Sequence, residues 1–146
     1  MMRISTKGRY ALRIMLDLAR QESSEPVSLH DVAERQHITQ KYMESIMSIL
    51  LRSKLVLSVR GKSGGYRLAR PASEYCVYEI LNAAEGSMAP VACLTQNPPG
   101  CELAEQCVTL PLWVGLNAVI RDYLTRTSLA DLAQGKPGDS VYCDYI

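Results

Sequence analysis

The 146-residue chain lacks any apolar run long enough to cross a bilayer. Its longest uncharged apolar run, Leu110 to Ile120, falls well short of the ~20 residues a spanning helix needs. The apolar stretch from Tyr10 to Ala19 is broken by Arg13 and Asp17, which excludes a signal-peptide core. Enzyme signatures are missing too. There is no dinucleotide fingerprint, no carboxylate dyad context and no adjacent Cys/His pair. Gly61-Lys62-Ser63 lacks the upstream glycine of a phosphate loop, and no helix is predicted after it. The compact Cys-x-x-Cys of zinc ribbons and fingers is absent, and no internal repeat or low-complexity tract occurs. These absences predict a cytoplasmic protein that is not an enzyme and has no membrane partner. In that compartment five cysteines point to thiol or metal chemistry before disulfides.

What is present begins with charge. The net value of +1 hides an asymmetry. Residues 1–71 hold 13 Lys/Arg against 6 Asp/Glu, a net of +7, and residues 72–146 hold 3 against 9, a net of −6. A strongly basic front half implies a polyanionic partner for that half alone. With 47% hydrophobic residues the chain can build a core, and its length suits one compact domain or two small lobes.

Hydrophobic spacing predicts mainly helical structure. Ala11, Leu12, Met15, Leu18 and Ala19 mark an amphipathic helix of about Lys7 to Gln21. Ser28 followed by Asp31 starts a short helix ending near Gln36, and Thr39 is a good N-cap for the next. That third helix carries Met43, Ile46, Met47 and Leu50 on one face. Leu55 to Val59 and Tyr66 to Ala69 are β-like runs around Arg60-Gly61-Lys62-Ser63-Gly64-Gly65, a hairpin signal. A helix from Val77 to Glu85 with Cys76 at its N-cap, a Pro/Gly-rich loop over Met88 to Gln106, a long helix from Pro111 and a short Ser128-capped helix complete the pattern. Trp113 is expected to anchor the long helix in the core.

Two short helices joined by a three-residue turn, with a basic glycine-rich hairpin behind them, predict a winged helix-turn-helix. Thr39, Lys41, Tyr42, Glu44 and Ser45 place hydroxyl, cationic and carboxylate groups at the N-terminal end of the second helix. The helix dipole there also favours phosphate. Glu44 is informative because phosphate repels a carboxylate, which gains mainly from a cytosine amino group. Arg60 and Lys62 at the hairpin tip suit a minor groove or its phosphate walls. His30 and His37 fall in the helix-turn-helix, where surface or turn roles are expected. One such module covers little DNA, so a dimer on two half-sites is expected. Leu112, Leu116, Val119, Ile120 and Tyr123 are its candidate self-pairing face.

Cys93, Cys101 and Cys107 lie in the Pro/Gly loop. Loose spacing on an irregular segment lets three soft thiolates converge on an iron–sulfur cluster or zinc. A zinc-stabilised DNA-binding adaptor is the plainer alternative. The expected organisation is a DNA-binding domain at 1–71, a sensor loop with dimerisation helices at 72–134, and a flexible tail at 135–146.

The segments "RISTKGRYALRIMLDLA", "VSLHDVAERQHITQKYMESIM" and "LVLSVRGKSGGYRLAR" resemble the Rrf-two type of bacterial winged-helix regulators, the IscR-, NsrR-, RirA- and CymR-like group. The resemblance runs from Arg3 to about Ala133. It implies a homodimeric repressor whose recognition helices read a two-fold related operator on double-stranded DNA. Thr39, Lys41, Tyr42, Glu44 and Ser45 would then read the major groove and Arg60 the minor groove. Likeness to IscR-like members implies a two-iron, two-sulfur cluster on Cys93, Cys101 and Cys107. The position of the completing His is Leu110, and the region of the NsrR-like carboxylate reads Lys7-Gly8-Arg9. The fourth ligand stays open among Glu102, Glu105, Cys76, Cys143 and a solvent or small thiol. CymR-like members, which lack cluster cysteines, are also similar, including a chain end in Tyr-Ile. That likeness implies control of cysteine metabolism through cysteine synthase, with Asp144, Tyr145 and Ile146 as the partner-binding tail.

Overall fold

The computed structural model describes residues 3–21 and 25–137. Among them the order is α1 (Thr6–Arg20), α2 (Leu29–Gln36), α3 (Gln40–Arg52), β1 (Val56–Val59), β2 (Gly65–Leu68), α4 (Val77–Glu85), α5 (Leu110–Thr125) and α6 (Leu129–Ala133). Single 3₁₀ turns occupy Ala72–Glu74, Ala92–Leu94 and Ala104–Gln106. The architecture is mainly helical with one antiparallel hairpin, as expected.

Hydroxyl caps set the helix starts. Ser5, Ser28 and Thr39 accept from the N–H of Gly8, Asp31 and Tyr42, each satisfying a donor that the helix itself leaves free. Ser128 and Asp131 form a reciprocal capping box on α6. Cys76 stands at the N-cap position of α4, but its side chain makes no cap bond. It is fully buried, and its backbone bridges to Ser128.

Helix α1 is the hub, packing against α2, α3, α4, α6 and β2. Its Ala11, Ile14, Met15 and Leu18 meet the predicted α3 face of Met43, Ile46, Met47 and Leu50. Ile80 and Ala84 of α4 and Leu129 of α6 join the same cluster, so one core continues across Pro71. Polar joints fix orientation within it. The buried Asp17 carboxylate of α1 accepts two bonds from Arg35, at 3.0 and 2.7 Å, and one from Gln36 at 2.8 Å, pinning α2 to α1. The fully buried Tyr75 donates to the Leu55 carbonyl at 2.6 Å and accepts from the N–H groups of Ala69 and Arg70 at 2.9 and 3.0 Å. One phenol thereby ties both feet of the hairpin to the segment leading into α4.

Helix α5 differs from the rest. It packs on α4, chiefly through Leu124, and Thr125 is its one buried residue. Leu112, Val119 and Tyr123 are 64, 66 and 55% exposed. The expectation for Trp113 is corrected: it is half-buried and belongs to neither core cluster. Its turn of α5 lies at the end away from Leu124, where the helix has no core to enter.

Candidate nucleic-acid interface and thiol loop

The helix-turn-helix turn is His37-Ile38-Thr39. His37 adopts φ 53°, a left-handed cap that ends α2, and its N–H reaches back to the Ala33 and Glu34 carbonyls. Ile38 is buried and holds the turn against the core. His30 and His37 are both exposed. From Thr39 the chain enters α3 with its apolar face inward and its polar face outward. Thr39, Lys41, Glu44 and Ser45 are exposed, whereas Tyr42 is half-buried. Gln40 and Ser48 complete the exposed stripe 40, 41, 44, 45, 48, and Gln40 Nε2 lies 3.5 Å from Glu44 Oε1. Helical spacing outward from Lys41 and Glu44 is the signal that reveals these two added residues.

Beyond α3 the hairpin pairs Val56 with Leu68 and Val59 with Gly65. Its tip carries Arg60 and Lys62, both exposed. Gly61 takes φ 114° in the turn, where side chains are strained. Gly65 lies so close to the Val27 backbone that a Cβ there would collide with the Val27 carbonyl. That closeness permits two 2.8 Å bonds between Val27 and Tyr66, which add a bridge from the segment before α2 to the hairpin. Sequence periodicity gave no hint of it, because a single bridging residue has no period. The polar stripe and the basic wing are thus tied to the same core through α1, Tyr75 and Val27.

The thiol loop leaves α4 at Gly86, which takes φ 81°. Cys93 sits half-buried in the 3₁₀ turn Ala92–Leu94, Cys101 is exposed, and Cys107 caps the turn Ala104–Gln106 half-buried. The Thr109 hydroxyl, 3.3 Å from Cys107 Sγ, together with backbone bonds from Thr109 and Leu110, pulls that thiol below the ordinary cysteine value. Among the described residues no three His, Cys, Asp or Glu side chains are arranged to hold a metal ion. The donor set suits a cluster in kind, since three thiols share one accessible loop, but the loop is not a preformed cage. Leu110 opens α5 and contributes no donor. Cys76 is buried at the opposite end of α4, roughly 13 Å of helix rise from Glu85. Cys143 and the proposed tail, Asp144, Tyr145 and Ile146, lie outside the described residues. A cavity of about 530 Å³ separates the start of α1 from the loop and α5, lined by Ile4, Met88, Pro90, Val91 and Tyr123 among others.

A three-helix unit with a solvent-facing polar stripe on its third helix and a cationic β-wing defines a winged-helix DNA-binding protein. Residues 4–135 match the Rrf2 family, described as iron-dependent transcriptional regulators. The chain belongs to that family, whose members are regulators and not enzymes. It is 44% identical over 131 residues to the HTH-type transcriptional regulator ORF2 of Azotobacter vinelandii, covering 90% of this chain and 79% of that one. It is 39% identical over 135 residues to IscR of Serratia proteamaculans, covering 92 and 81%. Among solved structures it resembles CymR, called the global cysteine regulator of B. subtilis, with a TM-score of 0.74 and 33% identity over 92% of this chain and 98% of that one.

Proposed function

We propose that this chain is a homodimeric repressor that reads a two-fold operator with residues 1–71 and senses iron–sulfur, redox or sulfur status through the three-cysteine loop of residues 72–134. The exposed stripe at the start of α3 beside the Arg60–Lys62 wing, in a half carrying +7, is the observation that carries the reading. Thr39, Lys41, Glu44 and Ser45 address base edges and phosphates in the major groove, with Tyr42 beside them, and Arg60 and Lys62 address the minor groove. The apolar α5 face, continuous at Tyr123 with the cavity beside the loop, is the surface a second copy covers.

For the sensor, Cys93, Cys101 and Cys107 are the proposed ligands of an iron–sulfur cluster, with the fourth position open. When bound, such a cluster would supply a centre damaged by oxygen and lost when iron is scarce; the chain supplies three soft donors on a loop tied directly to α5. The family description and the IscR relatives support this reading. A second reading is favoured by the ungathered thiols and by the likeness to CymR: a cluster-free regulator of cysteine metabolism acting with cysteine synthase through Asp144, Tyr145 and Ile146.

The deciding experiment is selection of operators from random duplexes, run side by side with apo protein and protein reconstituted anaerobically with iron and sulfide. The cluster reading expects a coloured protein and a changed operator affinity. A colourless protein with unchanged affinity removes the cluster and leaves the CymR-like reading, which a binding assay with cysteine synthase and a chain lacking Ile146 then tests.

A further inference from the structure

Tyr42 stands among groove readers by position, yet its ring is engaged inside the protein. Its edge meets the ring of Tyr10 on α1, with centroids 5.7 Å apart and planes at 72°. One turn further along α1, the Arg13 guanidinium lies 5.0 Å above the centre of the same Tyr10 ring. Arg13 also donates from Nε to the Gln36 side-chain oxygen at 3.1 Å and from its terminal nitrogen to the Gln36 backbone carbonyl. Gln36 is the last residue of α2, and Tyr42 lies in the first turn of α3. Contacts from α1 therefore grip the chain on both sides of the His37-Ile38-Thr39 turn. The carbonyl that Arg13 takes is one the end of α2 leaves without an intrahelical partner.

We propose that Arg13 is a positioning residue for sequence reading, holding through Gln36 and through Tyr10 and Tyr42 the angle at which α3 is presented. This rests on the DNA-binding reading above and deepens it. Base-edge contacts require side chains held to within roughly half an ångström, whereas flexible Lys and Arg contacts to phosphate tolerate a loose helix. Loosening the brace therefore costs selectivity before it costs general affinity. Arg13 is itself exposed, so its competing role is a direct phosphate contact, and the two roles predict different behaviour.

The test measures binding of full-length wild type, Arg13→Ala and Arg13→Lys to the selected operator and to random duplex over a salt series. Alanine is a strong helix former at this surface position, and an unchanged melting temperature reports a retained fold. Arg13→Ala is expected to lose operator affinity roughly three- to tenfold, the worth of the cation–π contact on Tyr10 and the bonds to Gln36, with random-duplex affinity and salt slope unchanged. Arg13→Lys keeps the charge but not the planar fork, so it is expected to share the loss. Restoration by lysine, an equal loss on both duplexes with a salt slope shallower by about one, or no loss at all overturns the proposal. If wild type binds no duplex whatever, the DNA reading falls and this with it; failure confined to the variants overturns the brace alone.

Discussion

Glu44 and Arg60 have opposite charges and are assigned different work. A carboxylate facing the major groove is repelled by the backbone, so it discriminates more than it binds. Glu44→Ala is expected to relax operator preference by about 1–3 kcal/mol while leaving affinity for random duplex intact or improved, as read from competition assays. Arg60→Ala is expected to weaken operator binding and to lower the salt slope by about one. Tyr75 works at the same scale but on stability. Its phenol serves the Leu55 carbonyl and the Ala69 and Arg70 N–H groups. Tyr75→Phe leaves them without that partner and is expected to cost about 1–3 kcal/mol in denaturant unfolding. The exposed polar stripe of α3 was legible because polarity and helical phase can be read off a string. The hold of Tyr10 on Tyr42 was not, since the two lie 32 positions apart and meet only through folding.

At the scale of elements, the contrast between α3 and α5 is informative. Both have apolar faces in the sequence, and periodicity treats them alike. Helix α3 buries its face against α1, whereas α5 leaves Leu112, Val119 and Tyr123 largely exposed. A charge on the α5 face is therefore expected to spare the fold and break the assembly. Val119→Asp should sediment as a monomer at concentrations where wild type is dimeric. Its operator affinity should fall because each half-site then binds alone. A dimeric, fully active Val119→Asp would show that α5 is not the pairing element. The helix starts were legible because Ser5, Ser28, Thr39 and Ser128 are local signals. The placement of Trp113 was not, because it depends on where α5 stops touching α4.

For the whole molecule, the separation of charge into a basic and an acidic half is the governing fact. Affinity for random duplex is expected to drop at least tenfold between about 50 and about 200 mM salt, as counterions compete for the phosphates. A flat salt response would mean that the basic half is not the DNA surface. The order of elements, their caps, the polarity of α3 and the division of charge all follow from residue types and their spacing, because those quantities are local or additive along the chain. Other features are decided only in the folded chain. They include the main core cluster that crosses Pro71, the Val27 bridge to the wing, the reach of Arg13 to the end of α2, and the spread of three thiols along a loop that periodicity leaves blank. Each is a meeting of residues distant in sequence, or of backbone without regular repeat, and the packing of α1 against its neighbours decides which of them meet.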